Sequence, residues 1–128
     1  MQPIQLFRLA SQQAHWLSVR QDVVAGNVAN ANTPGYKAMD VEPFSQVLDR
    51  MQSNQPMAAD NPAHFVTDSL RDAVRTGEHD DGIAIKPSGN SVSLAEELIK
   101  TGDIRRDFEL NTALVKSFHQ MMMMVSRP

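Results

Sequence analysis

The sequence predicts a mainly α protein in which long N- and C-terminal amphipathic helices pair as a coiled-coil-like bundle. The irregular middle segment between them has room for a short helix and a small β-hairpin. Three observations carry this expectation: apolar residues recur at steps of three and four near both ends, Pro and Gly gather between them, and 128 residues suit one domain. Residues 1–128 therefore read as a single unit, with a helix over 3–32, a turn and irregular middle over 33–92, and a second helix over 93–126.

In the first helix, Phe7, Ala10, Ala14, Leu17, Val24, Val28 and Ala31 form a heptad-like stripe, with Gln21 filling its one gap. A helix from Pro3 to Asn32 extends roughly 40 Å at 1.5 Å per residue, more than a small core can cover, so much of its apolar side needs a partner. Asn27 and Asn30 stand three apart on one face, and their amides can donate and accept across a helix contact. Thr33 precedes Pro34 and is pushed out of the α region. Pro34 presets the first central position of a turn and Gly35 tolerates positive φ at the second, so Thr33-Pro34-Gly35-Tyr36 predicts a type II turn.

In the middle, Phe44, Val47, Leu48 and Met51 are spaced for a short helix after Pro43. The polar tract from Met51 to Pro62 reads as flexible loop. Residues 73–75 and 83–85 suggest short strands of a hairpin around Gly77 to Gly82. The C-terminal helix begins near Ser93, where Ser93 and Glu96 have capping-box spacing, and Ser91 is an equally good cap. Its stripe, Ile104, Phe108, Asn111, Val115, Phe118, Met122 and Val125, alternates steps of four and three, and six of the seven are apolar. Gly102 interrupts the pattern and costs about 1 kcal/mol relative to Ala inside a helix, which fits a bend or a frayed joint, but the helix is expected to be continuous. Met121 to Met124 put flexible thioethers on every side of one turn. A lone terminal helix cannot hide all four, which favours burial between subunits over an internal core.

Composition excludes several function classes. A net charge of −3, with Arg105-Arg106 the only basic doublet, argues against nucleic acid as a partner. With no cysteine, disulfides and thiolate chemistry are impossible. His15, His64, His79 and His119 lack ligand spacing, and Glu78-His79-Asp80-Asp81-Gly82 lacks the ligand order of a calcium loop, so no metal is expected. No phosphate loop or nucleophile elbow is present, so no catalytic residue, cofactor or small-molecule substrate is expected. No segment approaches the roughly 20 apolar residues of a membrane span. The start of the chain lacks a cleavable signal peptide pattern, so export would need a dedicated machine.

The run Asn27-Val28-Ala29-Asn30-Ala31-Asn32-Thr33-Pro34-Gly35-Tyr36-Lys37 at a helix end resembles the signature of bacterial flagellar rod and hook proteins. Asn61-Pro62-Ala63-His64 and Gly89-Asn90-Ser91-Val92 resemble, in order and spacing, middle elements of the short proximal-rod members of that family. The resemblance covers nearly the whole chain, departing at Ser88 and Ser93, where acidic residues are common, and at Thr101-Gly102-Asp103. It implies a non-enzymatic structural subunit of the flagellar basal-body rod, a periplasm-spanning assembly. The flagellar type III export apparatus would deliver it, and its terminal helices would order as they assemble. Its partners would be other rod subunits and the export-gate adaptor at the rod base.

In such a rod Val24, Val28, Phe108, Val115, Phe118 and Met122 would line helix contacts, and Asn27, Asn30 and Asn32 would specify register. Tyr36 and the Pro34-Gly35 turn would direct the next segment across a neighbour. The rival expectation, from another class, is a cytoplasmic helical adaptor or chaperone that grips a client with its methionine-rich end.

Overall fold

The structure, a computed structural model, describes residues 3–53, 74–79 and 86–127. In order they form α1 (Pro3–Ala29), β1 (Met39–Val41), α2 (Phe44–Ser53), β2 (Thr76–Glu78) and α3 (Leu94–Val125). The protein is mainly α, and its two long helices pack on each other along the predicted stripes. Buried residues recur every seven positions on both, at Ala10, Leu17 and Val24 of α1 and at Glu97, Ile104 and Asn111 of α3, the repeat of a coiled-coil seam. The pairing is antiparallel: the Phe7 ring meets Phe118 edge-on at 5.8 Å, and the Asn111 amide donates to the Ala10 carbonyl at 3.0 Å.

The main core is Trp16, Leu17, Val24, Val47 and Ile104, with Val41, Phe44, Met51, Val74 and Phe108 packed around it. Its apolar content is small for helices of 27 and 32 residues. Trp16, unremarked in the sequence pattern, ties α1 to the middle segment. Its indole donates to the Glu42 carbonyl at 2.9 Å, its ring lies 5.7 Å from Phe44, and the Arg20 guanidinium stacks on it. Glu42 in turn accepts from the two terminal guanidinium nitrogens of Arg50 and from the Arg75 backbone N–H. The Arg50 hydrogen bond, the largest influence, holds the Glu42 carboxyl below its usual range.

The short helix after Pro43 and the two-stranded antiparallel sheet are both present, but the strand pairing is long-range. Met39 pairs with Glu78, Asp40 with Gly77 and Val41 with Thr76, so Gly77, expected in a turn, lies within a strand. The proposed partner strand at 83–85, the tract 54–62, the Asn61 to His64 element and residues 80–82 of the acidic turn lie outside the described residues. The helix expected to reach Asn32 ends at Ala29, because the Asn30 N–H is shared between the Gly26 and Asn27 carbonyls and the chain then tightens into turns. Ser93 is the N-cap of α3, but its hydroxyl makes no capping hydrogen bond. Through Gly102 the helix is continuous. Among the described residues no helix is long and apolar enough to cross a membrane.

Candidate functional site

The Asn-rich run and the later Gly89 to Val92 element, more than fifty residues apart in the chain, form one junction. At the end of α1, the Asn30 side chain donates to the Gly26 carbonyl at 2.8 Å and accepts from the Thr33 hydroxyl at 3.1 Å. The Tyr36 N–H then closes on the Thr33 carbonyl at 3.2 Å, with Gly35 at φ +73°, which is the type II geometry that Pro34 and Gly35 prescribe.

Asn90, almost fully buried, clamps this turn. Its amide nitrogen donates to the carbonyls of Asn30 and Thr33, both at 2.8 Å, and its oxygen accepts the Val92 N–H at 2.8 Å. One side chain thereby adds a second hydrogen bond to each of two carbonyls that already accept a backbone N–H where the helix stops. Ser91 adds two more links: its N–H donates to the Tyr36 carbonyl at 3.1 Å, and its hydroxyl accepts the Ala38 N–H at 2.8 Å. The Gly35 N–H donates to the Ser88 carbonyl at 2.9 Å. A Cβ on Gly89, itself at φ +78°, would stand 3.5 Å from the Gly35 Cα, so the two turns meet backbone to backbone. Val92, Ala31 and Ala38 fill the space beneath, with Tyr36 against them.

Asn27 faces inward. Its amide nitrogen donates to the Met39 carbonyl at 2.7 Å, and its oxygen accepts the Met39 N–H at 3.0 Å and the Tyr36 hydroxyl at 3.3 Å. It thus serves the edge of β1 that β2 leaves open. Beside it, Lys100 of α3 pairs with Asp40 at 3.0 Å and with the buried Glu97 at 3.5 Å. Burial pushes the Asp40 carboxyl up, but the Lys100 ammonium and the Val41 N–H outweigh it, leaving the pKa below its usual value.

The residues expected at helix contacts divide into two sets. Val24 is buried in the core and Phe108 is half-buried against it, while Phe118 packs on Phe7 and Val115 lines a groove between α1 and α3. Val28 and Met122 are exposed, as are Asn32, Thr33, Pro34 and Gly35. All four methionines at 121–124 are exposed within the subunit. A second apolar row on α3, beside the predicted stripe, is Leu110, Leu114 and Met121, all exposed. Their spacings of four and seven place them on one side of the helix, a signal available in the sequence but overshadowed by the stronger stripe beside it.

The family described as flagella basal body rod protein matches residues 16–37, from Trp16 through the Asn-rich turn. The flagellar basal body rod protein FlgB of Agrobacterium fabrum is 56% identical over 126 residues, covering 97% of this chain and 94% of that protein. The chain belongs to the FlgB family of flagellar basal body rod proteins. The FlgB of Aeromonas hydrophila is 33% identical over 76% of the chain and 72% of its own length. That of Escherichia coli K12 is 28% identical over 83% and 81%. As a FlgB-family member the chain is a structural subunit of the flagellar basal body rod. The matched segment includes Asn27, Asn30 and the turn that Asn90 holds, so the family signature coincides with the junction that fixes how the chain leaves α1.

Proposed function

We propose that this FlgB-family chain is a non-enzymatic subunit of the proximal part of the rod, delivered by the flagellar type III export apparatus without a cleavable signal peptide. It completes its order by burying helix surface against its neighbours in the periplasm-spanning assembly. Those neighbours are other rod subunits and the export-gate adaptor at the rod base. The observation that carries the reading is an exposed apolar row on α3, where Leu110 is 67%, Leu114 53% and Met121 48% exposed. A helix of 32 residues with so few buried positions is weakly held by its own subunit, and a row of exposed apolar side chains along one side of it suits a protein contact.

On this reading Val28, Met122, Asn32, Thr33, Pro34 and Gly35 meet neighbours directly. Val24, Phe108, Val115 and Phe118 support the contact faces from within. Asn27, Asn30 and Tyr36 set the direction in which the chain departs from α1 and so specify register through the shape of the turn. Folding and assembly are then coupled, because the rod binds only the ordered helices.

Circular dichroism and limited proteolysis test this, with the purified chain measured alone and after mixing with isolated basal bodies. Termini that are cut readily alone and become protected and more helical on mixing are the expected result. A chain already fully helical and resistant, and unchanged by basal bodies, overturns coupled folding and favours a preformed adaptor.

A further inference from the structure

Beyond the seam, α1 and α3 leave a groove of about 560 Å³, open on one side and walled by Phe7, Ala10, Ala14 and Val115. The small residues on the α1 wall create the space. Asn111, nine-tenths buried, stands in its floor and gives its amide nitrogen to the Ala10 carbonyl, while its Oδ1 is sealed from solvent.

The same chain carries a segment of matching chemistry. Phe7 lies against Phe118, so in an antiparallel pair the start of α1 at Pro3 stands level with about Met122, and the last turn of α3 overhangs the partner helix. That overhang, Met123, Met124 and Val125, is exposed.

We propose that the methionine-rich end of α3 from one copy seats in the α1/α3 groove of a second copy. The inference rests on the rod reading above and names one of its contacts. The occupant is a second copy because a chain cannot fold its own methionines into a groove whose far wall is the same straight helix. Thioethers adapt to an irregular apolar space such as this groove. Charge also fits: the last turn of α3 has no basic residue to offset the carbonyl end of its dipole, and Lys116 stands at the groove rim without an ion-pair partner among the described residues. Tongue and groove are different surfaces, so the contact is head-to-tail and runs from copy to copy as a ring or an open helix.

Because the chain has no cysteine, engineered pairs report the contact cleanly. Full-length Ser11→Cys and Met123→Cys chains are expressed together in cells lacking the unaltered copy, and basal bodies are isolated and oxidised. The disulfide-linked pair should exceed that from Ser11→Cys with Leu98→Cys by about tenfold or more, the advantage of held proximity. Rods that contain both variants but yield no such excess overturn the proposal, leave the rod reading intact, and assign the groove to another occupant. Should rods accept the unaltered chain but reject the cysteine variants, the same comparison on concentrated purified chains decides in the same two ways. If the unaltered chain itself never enters rods, the rod reading fails, and the proposal with it.

Discussion

Asn27 and Asn90 show how two amides can organise a segment that is neither helix nor sheet. Each has both its donor and its acceptor engaged by backbone or by Tyr36, and both are nearly inaccessible to solvent. Removing such a group strands its partners without water, at about 1–3 kcal/mol for each buried polar group left unsatisfied. Asn27→Leu, similar in size, strands the Met39 N–H and C=O together, so urea denaturation should show a loss of about 2–5 kcal/mol. Asn32→Ala, at an exposed position without a hydrogen bond among the described residues, should stay within about 0.5 kcal/mol of the unaltered chain. Equal denaturation midpoints for the two variants would show that Asn27 does not hold β1 in place.

Along α3, an interior glycine sits where nothing requires one. Gly102 is exposed, has no positive φ, and a Cβ there would meet no atom within 4 Å. Gly102→Ala should therefore raise stability by about 1 kcal/mol, read as a higher urea midpoint, and a lower midpoint would mean the helix bends there in solution. The tie between β1 and α3 sets a pH dependence. The Asp40 carboxyl titrates below its usual value when folded, so its contribution is fully present above the unfolded pKa of about 4 and is lost as pH falls through the lower folded value. Lys100→Met removes the partner that lowers it. Thermal melts should then lose less stability between pH 5 and pH 3 than those of the unaltered chain, and parallel losses would remove Asp40–Lys100 as the cause. These elements also divide what was legible in the sequence from what was not. The stripes and the Pro34-Gly35 turn follow from periodicity and local dihedral limits, which a sequence displays directly. The grip of Asn90 on Asn30 and Thr33, the Trp16 bond to Glu42 and the pairing of Met39 with Glu78 join distant residues of ordinary type, and no local spacing encodes them. For the same reason the exposed Asn32 and the inward Asn27 look alike until the fold separates them.

At the scale of the whole molecule, α3 presents two apolar faces that serve different associations, one closing on α1 and one turned to solvent. Ile104 belongs to the first and is 3% exposed within the core. Leu114 belongs to the second and touches no core cluster among the described residues. A rod subunit held together in this way should allow its fold and its assembly to be damaged separately. Ile104→Ala removes buried volume and should cost about 2–5 kcal/mol, lowering the melting temperature of the purified chain. Leu114→Glu alters an exposed site and should shift stability by no more than about 0.5 kcal/mol, yet place a charge where a neighbour must exclude water. Immunoblots of isolated basal bodies should then show Leu114→Glu absent from rods although it is folded and stable, with motility lost in cells that depend on it. Normal incorporation of that variant would remove this face from the assembly and leave α1 and the signature turn as the surfaces that bind. Loss of its own fold would show instead that Leu114 is covered within the isolated subunit.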